Sequence, residues 1–294
     1  MNKSIYSLLL MAFIILSSCS SGESVSSDYT SQTTVKELTA YLARQDSAYG
    51  ILSEPEKRII MPTVTFTGRD KFKIALADVK GGLRGLGGGV IGVVGGAAVS
   101  SLVKAARIYA IKWAVAFVQD NVLNDVFPGT NGQLTFTDSI GYYHNMVQRE
   151  LFMMNPDSHL ASSSVLLSQA DSIMMSHSSY YSNAGGLSAS ALSSLSLSED
   201  SIRSISDDLS MEEYCDALKS LNPEDSDYID FIAEYAYTAL FSNVDLASYT
   251  EEVLFTIRNA NLSAGDTDIL VRSVRIAHAS IVYSNNTQLS SKQY

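Results

Sequence analysis

Only two cysteines occur in the 294 residues, Cys19 and Cys215, and only four histidines, His144, His159, His177 and His278. Two cysteines this far apart exclude a Cys-rich metal site and any C-x-x-C pair. The histidines lack the tight spacing of a metal-ligand set, and neither H-E-x-x-H nor G-x-S-x-G is present. The glycine-rich run is not followed by Lys-Ser or Lys-Thr, which excludes a Walker-type phosphate loop. No cofactor is indicated. Basic residues are also in the minority. The formal net charge is −11, which makes nucleic acid a poor partner.

What is present begins at the N-terminus, "MNKSIYSLLLMAFIILSSCS". Lys3 supplies a positive end, and Leu8–Leu16 is an apolar core too short to span a bilayer comfortably. The residues Leu16, Ser17, Ser18 and Cys19 resemble a lipobox, so the chain is similar here to bacterial envelope lipoproteins. The resemblance implies a signal peptide over residues 1–18, cleavage before Cys19, and diacylation of the Cys19 thiol. It places the protein in the bacterial cell envelope, as an outer membrane lipoprotein, with the membrane as a partner through lipidated Cys19. Two or three acyl chains anchor stably where one does not. Residues 19–33 are Ser-rich and aperiodic and read as a flexible tether. With Cys19 lipidated, Cys215 stands alone. An intrachain disulfide is then excluded, and Cys215 reads as a buried residue.

Hydrophobic residues make up 46% of the chain, enough for a real core. The pattern predicts a mainly α, multi-helix globular ectodomain organised around a long small-residue-rich helix. An N-terminal helical unit is expected over residues 34–126 and a C-terminal one over 133–294, packed as one domain. The turn "FPGTNG" at Phe127–Gly132 separates them. Thr34 with Glu37 reads as a capping box opening the first helix. Other starts are expected near Thr137, at Ser210 with Glu213, at Asn222–Pro223 with Asp225, and at Ser248 with Glu251. Asn155–Pro156 is expected to end one helix and open the next. The last helix, Asp268–Tyr283, places Leu270, Val274, Ala277 and Ile281 on one stripe. Thr63–Phe66 reads as one short strand, and the serine-rich Leu187–Ser198 as a loop or short helix.

The stretch Gly81–Ser101, "GGLRGLGGGVIGVVGGAAVSS", raises the sharpest question. Gly87, Gly89 and Gly92 satisfy G-x-G-x-x-G, but no strand immediately precedes them and no acidic residue follows near twenty positions on. Gly81, Gly85, Gly88, Gly92, Gly96 and Ser100 instead recur every three or four residues, on one helical face suited to close packing or to membrane contact. The pattern resembles a glycine zipper, as found in some envelope proteins and in pore-forming or bacteriocin-like peptides. Seven glycines between Gly85 and Val103 each cost about 1 kcal/mol against alanine, so something must cover this helix. The helical reading continues through Lys104–Val118, with a kink expected near Gly95–Gly96.

Charge is unevenly spread. Between Gly68 and Lys112 eight basic residues stand against two Asp; between Glu199 and Glu234 twelve acidic residues stand against two basic ones. The acidic block reads as a solvated helical surface. Within it Asp225, Asp227 and Asp230 form a weak candidate cation site, lacking the central glycine and final glutamate of an EF-hand loop. The tyrosines Tyr142, Tyr143, Tyr180, Tyr181, Tyr228, Tyr235 and Tyr237 suit a protein or glycan partner, or the core. The expectation is a lipid-anchored interaction or scaffolding protein rather than an enzyme, with no catalytic residue assigned. The first alternative is a membrane-perturbing or pore-forming protein using the Gly-rich segment and its basic neighbours. The second is a glycan or peptide hydrolase, which needs a carboxylate pair or Ser–His cluster in a cleft.

Overall fold

The computed structural model describes residues 32–50, 63–64, 66–110, 115–118, 136–154, 161–177 and 186–290. The signal peptide, Cys19, the tether up to residue 31, the Phe127–Gly132 turn, Asn155–Pro156, His159, Tyr180 and Tyr181 lie outside them. Thr33–Tyr294 forms one compact unit, and the described part is mainly α-helical. Its helices are α1 (Val35–Asp46), α2 (Gly68–Arg84), α3 (Gly89–Ala110), α4 (Phe136–Met154) and α5 (Ser163–His177). They continue with α6 (Ala189–Ser204), α7 (Met211–Leu221), α8 (Ser226–Phe241), α9 (Leu246–Asn259) and α10 (Ala264–Asn286).

Caps set most of the starts. Thr34 accepts from the Glu37 N–H and Glu37 answers the Thr34 N–H, as the spacing predicts. Ser210 and Glu213 do the same for α7. Thr67 and Asp70 form a third such box, opening α2. The start expected at Ser248 lies three residues earlier: Asp245 is the N-cap, and its carboxylate accepts from the Ser248 N–H at the third helical position. The Pro223–Asp225 segment is a 3₁₀ turn, and α8 begins just after it at Ser226. The serine-rich stretch is a full helix, α6, capped by Ser188.

Helix α2 is the axis of the packing. From Phe72 to Leu83 every residue is buried, so no face meets water. It contacts α3, α6, α7, α8 and α10. Helix α10 closes over α2 and α4, with Leu270, Val274, Ala277 and Ile281 all buried as the stripe predicts. Helix α1 lies on α8, buries Val35, Leu38 and Leu42, and is tied to α9 where Tyr249 donates to Asp46 at 2.6 Å.

The glycine run is central, but it is not one helix. It forms the end of α2, a 3₁₀ turn at Gly85–Gly88, and the start of α3. The break falls at Gly89, whose φ of +63° glycine alone adopts readily, not at Gly95–Gly96. The chain therefore doubles back, and the small residues of α2 face those of α3. A Cβ on Gly81 would meet the Gly96 carbonyl oxygen at 2.5 Å. Cβ atoms on Gly85, Gly92 or Gly96 would overlap the opposing backbone outright. Ser100 continues the seam opposite Gly81, whereas Gly88 turns to Leu187 and Ala191 beside α6. The cover that the glycines require is thus the protein's own backbone.

Helix α3 ends at Ala110, and Val115–Val118 is a strand rather than its continuation. That strand, β2, and Thr63–Val64, β1, flank Thr287–Ser290, β3, in an antiparallel sheet ordered β1-β3-β2. The short strand expected at Thr63 thus finds its partner at the far end of the chain.

The seam makes a sharp contrast between neighbouring glycines. Gly96→Ala should lower unfolding free energy by about 3 kcal/mol, because the added methyl overlaps fixed backbone. Gly95→Ala, whose Cβ would sit 3.7 Å from Ala170 Cβ, should gain up to about 1 kcal/mol from helix propensity. Urea unfolding of both variants checks this; similar effects at the two positions would contradict the close approach.

Candidate functional site

Three lysines of the basic segment are buried: Lys73 and Lys80 on α2, and Lys104 on α3, none more than 3% exposed. Each reaches the acidic block. Lys80 donates to Asp225 at 2.7 Å, where Arg84 also approaches at 3.5 Å. Lys104 donates to the Asp207 carboxylate, Arg107 lies 3.5 Å from its second oxygen, and Lys73 donates to the Asp207 carbonyl at 2.5 Å. The Tyr214 ring lies under the Lys104 ammonium, 4.4 Å from its centroid. Burial lowers the pKa of all three lysines, and the Asp225 and Asp207 carboxylates pull Lys80 and Lys104 back up. The block expected as a solvated surface is in part the internal counter-charge of the basic segment.

This pairing settles where the candidate cation residues sit. Asp225 faces Lys80 and Arg84, Asp230 accepts from Lys219 at 3.0 Å, and Asp227 is exposed. The three carboxylates are not gathered around one point. Among the described residues no three His, Cys, Asp or Glu side chains are arranged to hold a metal ion.

A second polar cluster lies deeper. Asp78 on α2 and His144 on α4 are both fully buried, with Nε2 of His144 3.3 Å from Asp78 Oδ2. Ser101 and Ser280 also approach the Asp78 carboxyl, whose pKa is raised by burial despite these neighbours. The other ring nitrogen of His144 faces Asn145 Oδ1 at 2.9 Å, and Gln148 donates to Ser101 at 2.6 Å. The serines touch the carboxyl, not the imidazole, so this is not a nucleophile–base–acid relay. Ser100, on the glycine seam, donates to buried Glu199 at 2.5 Å. Burial pushes the Glu199 carboxyl up to about 8. His278 is buried against Thr250 at 2.8 Å and its pKa is lowered to about 4, again by burial. Cys215 is a buried thiol raised to about 12 for the same reason.

Among the described residues a groove of ligand size, about 660 Å³, lies between α1, α7 and α8. Ala40, Ala43, Phe72, Met211, Ala233 and Tyr237 supply apolar lining, with Cys215 beside them. Glu212, Asp227, Asp230 and Glu234 add four carboxyls, of which Lys219 holds Asp230, and Lys36 is the cation of the lining. Of the tyrosines singled out by sequence, Tyr237 reaches this groove, while Tyr235 is fully buried and stacks on Tyr249 at 5.5 Å.

No protein-family model, curated protein or solved structure matches the chain. Among the described residues no helix is long and apolar enough to cross a membrane.

The buried acid sets a pH dependence. Glu199 holds its proton in the folded state up to about pH 8, but in the unfolded chain it ionises near its ordinary 4.5. The folded state binds the extra proton in between, so this group's stabilisation is full below 4.5 and is lost as pH rises toward 8. Glu199→Gln keeps an acceptor for Ser100 and removes the titration. The stability difference, wild type minus variant, should fall steadily from pH 5 to 8 in chemical denaturation. A difference flat with pH would contradict the burial of an uncharged Glu199.

Proposed function

We propose that this chain is a lipid-anchored envelope protein of the outer membrane whose helical domain binds a cationic protein segment in the groove between α1, α7 and α8. The anchor follows from the lipobox-like residues ending at Cys19. The partner class rests on one observation: an apolar floor edged by four carboxyls and one lysine. Apolar contact supplies affinity, and the acids other than Asp230, which Lys219 holds, select a basic partner and speed its approach. Glu212 and Asp227 are exposed at the edge, where charge is free to be met from outside.

The burial of Lys73, Lys80 and Lys104 favours this reading over a membrane-perturbing one, because those cations are engaged inside the fold. The packing of Gly81 and Gly85 against Gly96 and Gly92 supports it in the same way. Among the described residues Ser101 and Ser280 face the Asp78 carboxyl rather than the His144 ring, which favours it over the hydrolase reading.

Two measurements test the two halves. Labelled palmitate should enter the wild-type chain in bacteria and fail to enter Cys19→Ala; equal labelling would remove the anchor. A fluorescent amphipathic Lys/Leu peptide should bind the detergent-solubilised full chain, more weakly as salt rises. The pair Glu212→Lys and Asp227→Lys should weaken it at least tenfold. Binding that ignores both salt and these charges would exclude the groove as the site.

A further inference from the structure

The deepest polar cluster holds more hydrogen-bonding capacity than the protein itself fills. Asp78, His144, Gln148, Glu199, Tyr214 and Ser280 are each at least 97% buried. Both oxygens of Asp78, Nε2 of His144, Oε1 of Gln148, Oε1 of Glu199, the Tyr214 hydroxyl and Oγ of Ser280 all lack a partner of hydrogen-bonding geometry within the chain. The atoms on Asp78, His144, Gln148 and Ser280 share one region. His144, Ser101 and Ser280 surround Asp78, and Gln148 is joined to the same place through Ser101. The Asp78 charge also acts on Glu199 and Tyr214 at the edge of this region. The elements that meet here are α2, α3, α4 and α10, with α6 and α7 at the edge.

A native interior does not leave so many groups unanswered in one spot, because each costs about 1–3 kcal/mol. We infer that this cluster is an internal water-binding site. The set of atoms selects water over an ion. It mixes donors, the Tyr214 and Ser280 hydroxyls, with acceptors on Asp78 and Gln148. A cation satisfies only acceptors and an anion only donors, whereas water serves both. Seven unfilled atoms, at about three bonds per buried water, require about three molecules. Such waters bridge α2 to α4 and α10.

Magnetic relaxation dispersion of water oxygen-17, on the detergent-solubilised full chain, counts waters held longer than nanoseconds. Ser280→Ala and Gln148→Leu each remove one unfilled atom and should lower the long-lived count by at least one, with circular dichroism unchanged. An unchanged count in folded variants would overturn the site. Should both variants unfold, wild-type cross-relaxation between water and the His144 ring protons decides: a signal with the sign of a bound water upholds it, and its absence overturns it.

Discussion

Two helix backbones touch across the seam of Gly81 and Gly85 with Gly92 and Gly96, and the rest of the domain is arranged around that contact. Only glycine permits such an approach, and the gain is an α2–α3 hairpin compact enough to sit inside a shell of other helices. Seven glycines make this segment a poor helix in isolation. Its stability is therefore tertiary: α4, α5, α6 and α10 lie against the hairpin and hold it in the form that the glycines allow.

Enclosing α2 on every side has an electrostatic consequence. Lys73, Asp78 and Lys80 travel into the interior with it and must be answered there. The lysines find Asp207 and Asp225, which stand at the two ends of α7. Asp78 finds His144. Buried pairs of this kind are seldom net stabilising against an apolar core, but breaking one is costly, so they discriminate against other arrangements of the same helices. The pairing fixes how α7 and α8 dock on α2, and that docking shapes one wall of the groove.

Much of this was legible in the sequence and some was not. Helical spacing and capping residues identify α1, α4, α7 and α10, because local hydrogen bonds and one-sided burial write themselves into neighbouring residues. The six small residues Gly81 to Ser100 were recognisable as a packing face. Their folding back on themselves was not, since a stripe on one helix and a seam between two give the same spacing; only φ at Gly89 separates them. The basic and acidic blocks were visible as blocks, yet their meeting inside the protein depends on contacts across more than a hundred residues. Asp78 and His144 carry no local signal at all. The groove was equally hidden, because its walls come from both ends of the chain.

On the proposed reading, function divides between an interior that specifies the fold and a surface groove left for recognition. The central claim is that the glycine-rich hairpin is the most tightly held part of the domain, despite being its weakest helix former. Native-state amide hydrogen exchange on the full chain tests it directly. The account predicts that amides of residues 72–83 and 92–103 exchange only through global unfolding, together with the core of α8. Faster exchange of the hairpin by local opening, with α8 still protected, would contradict it.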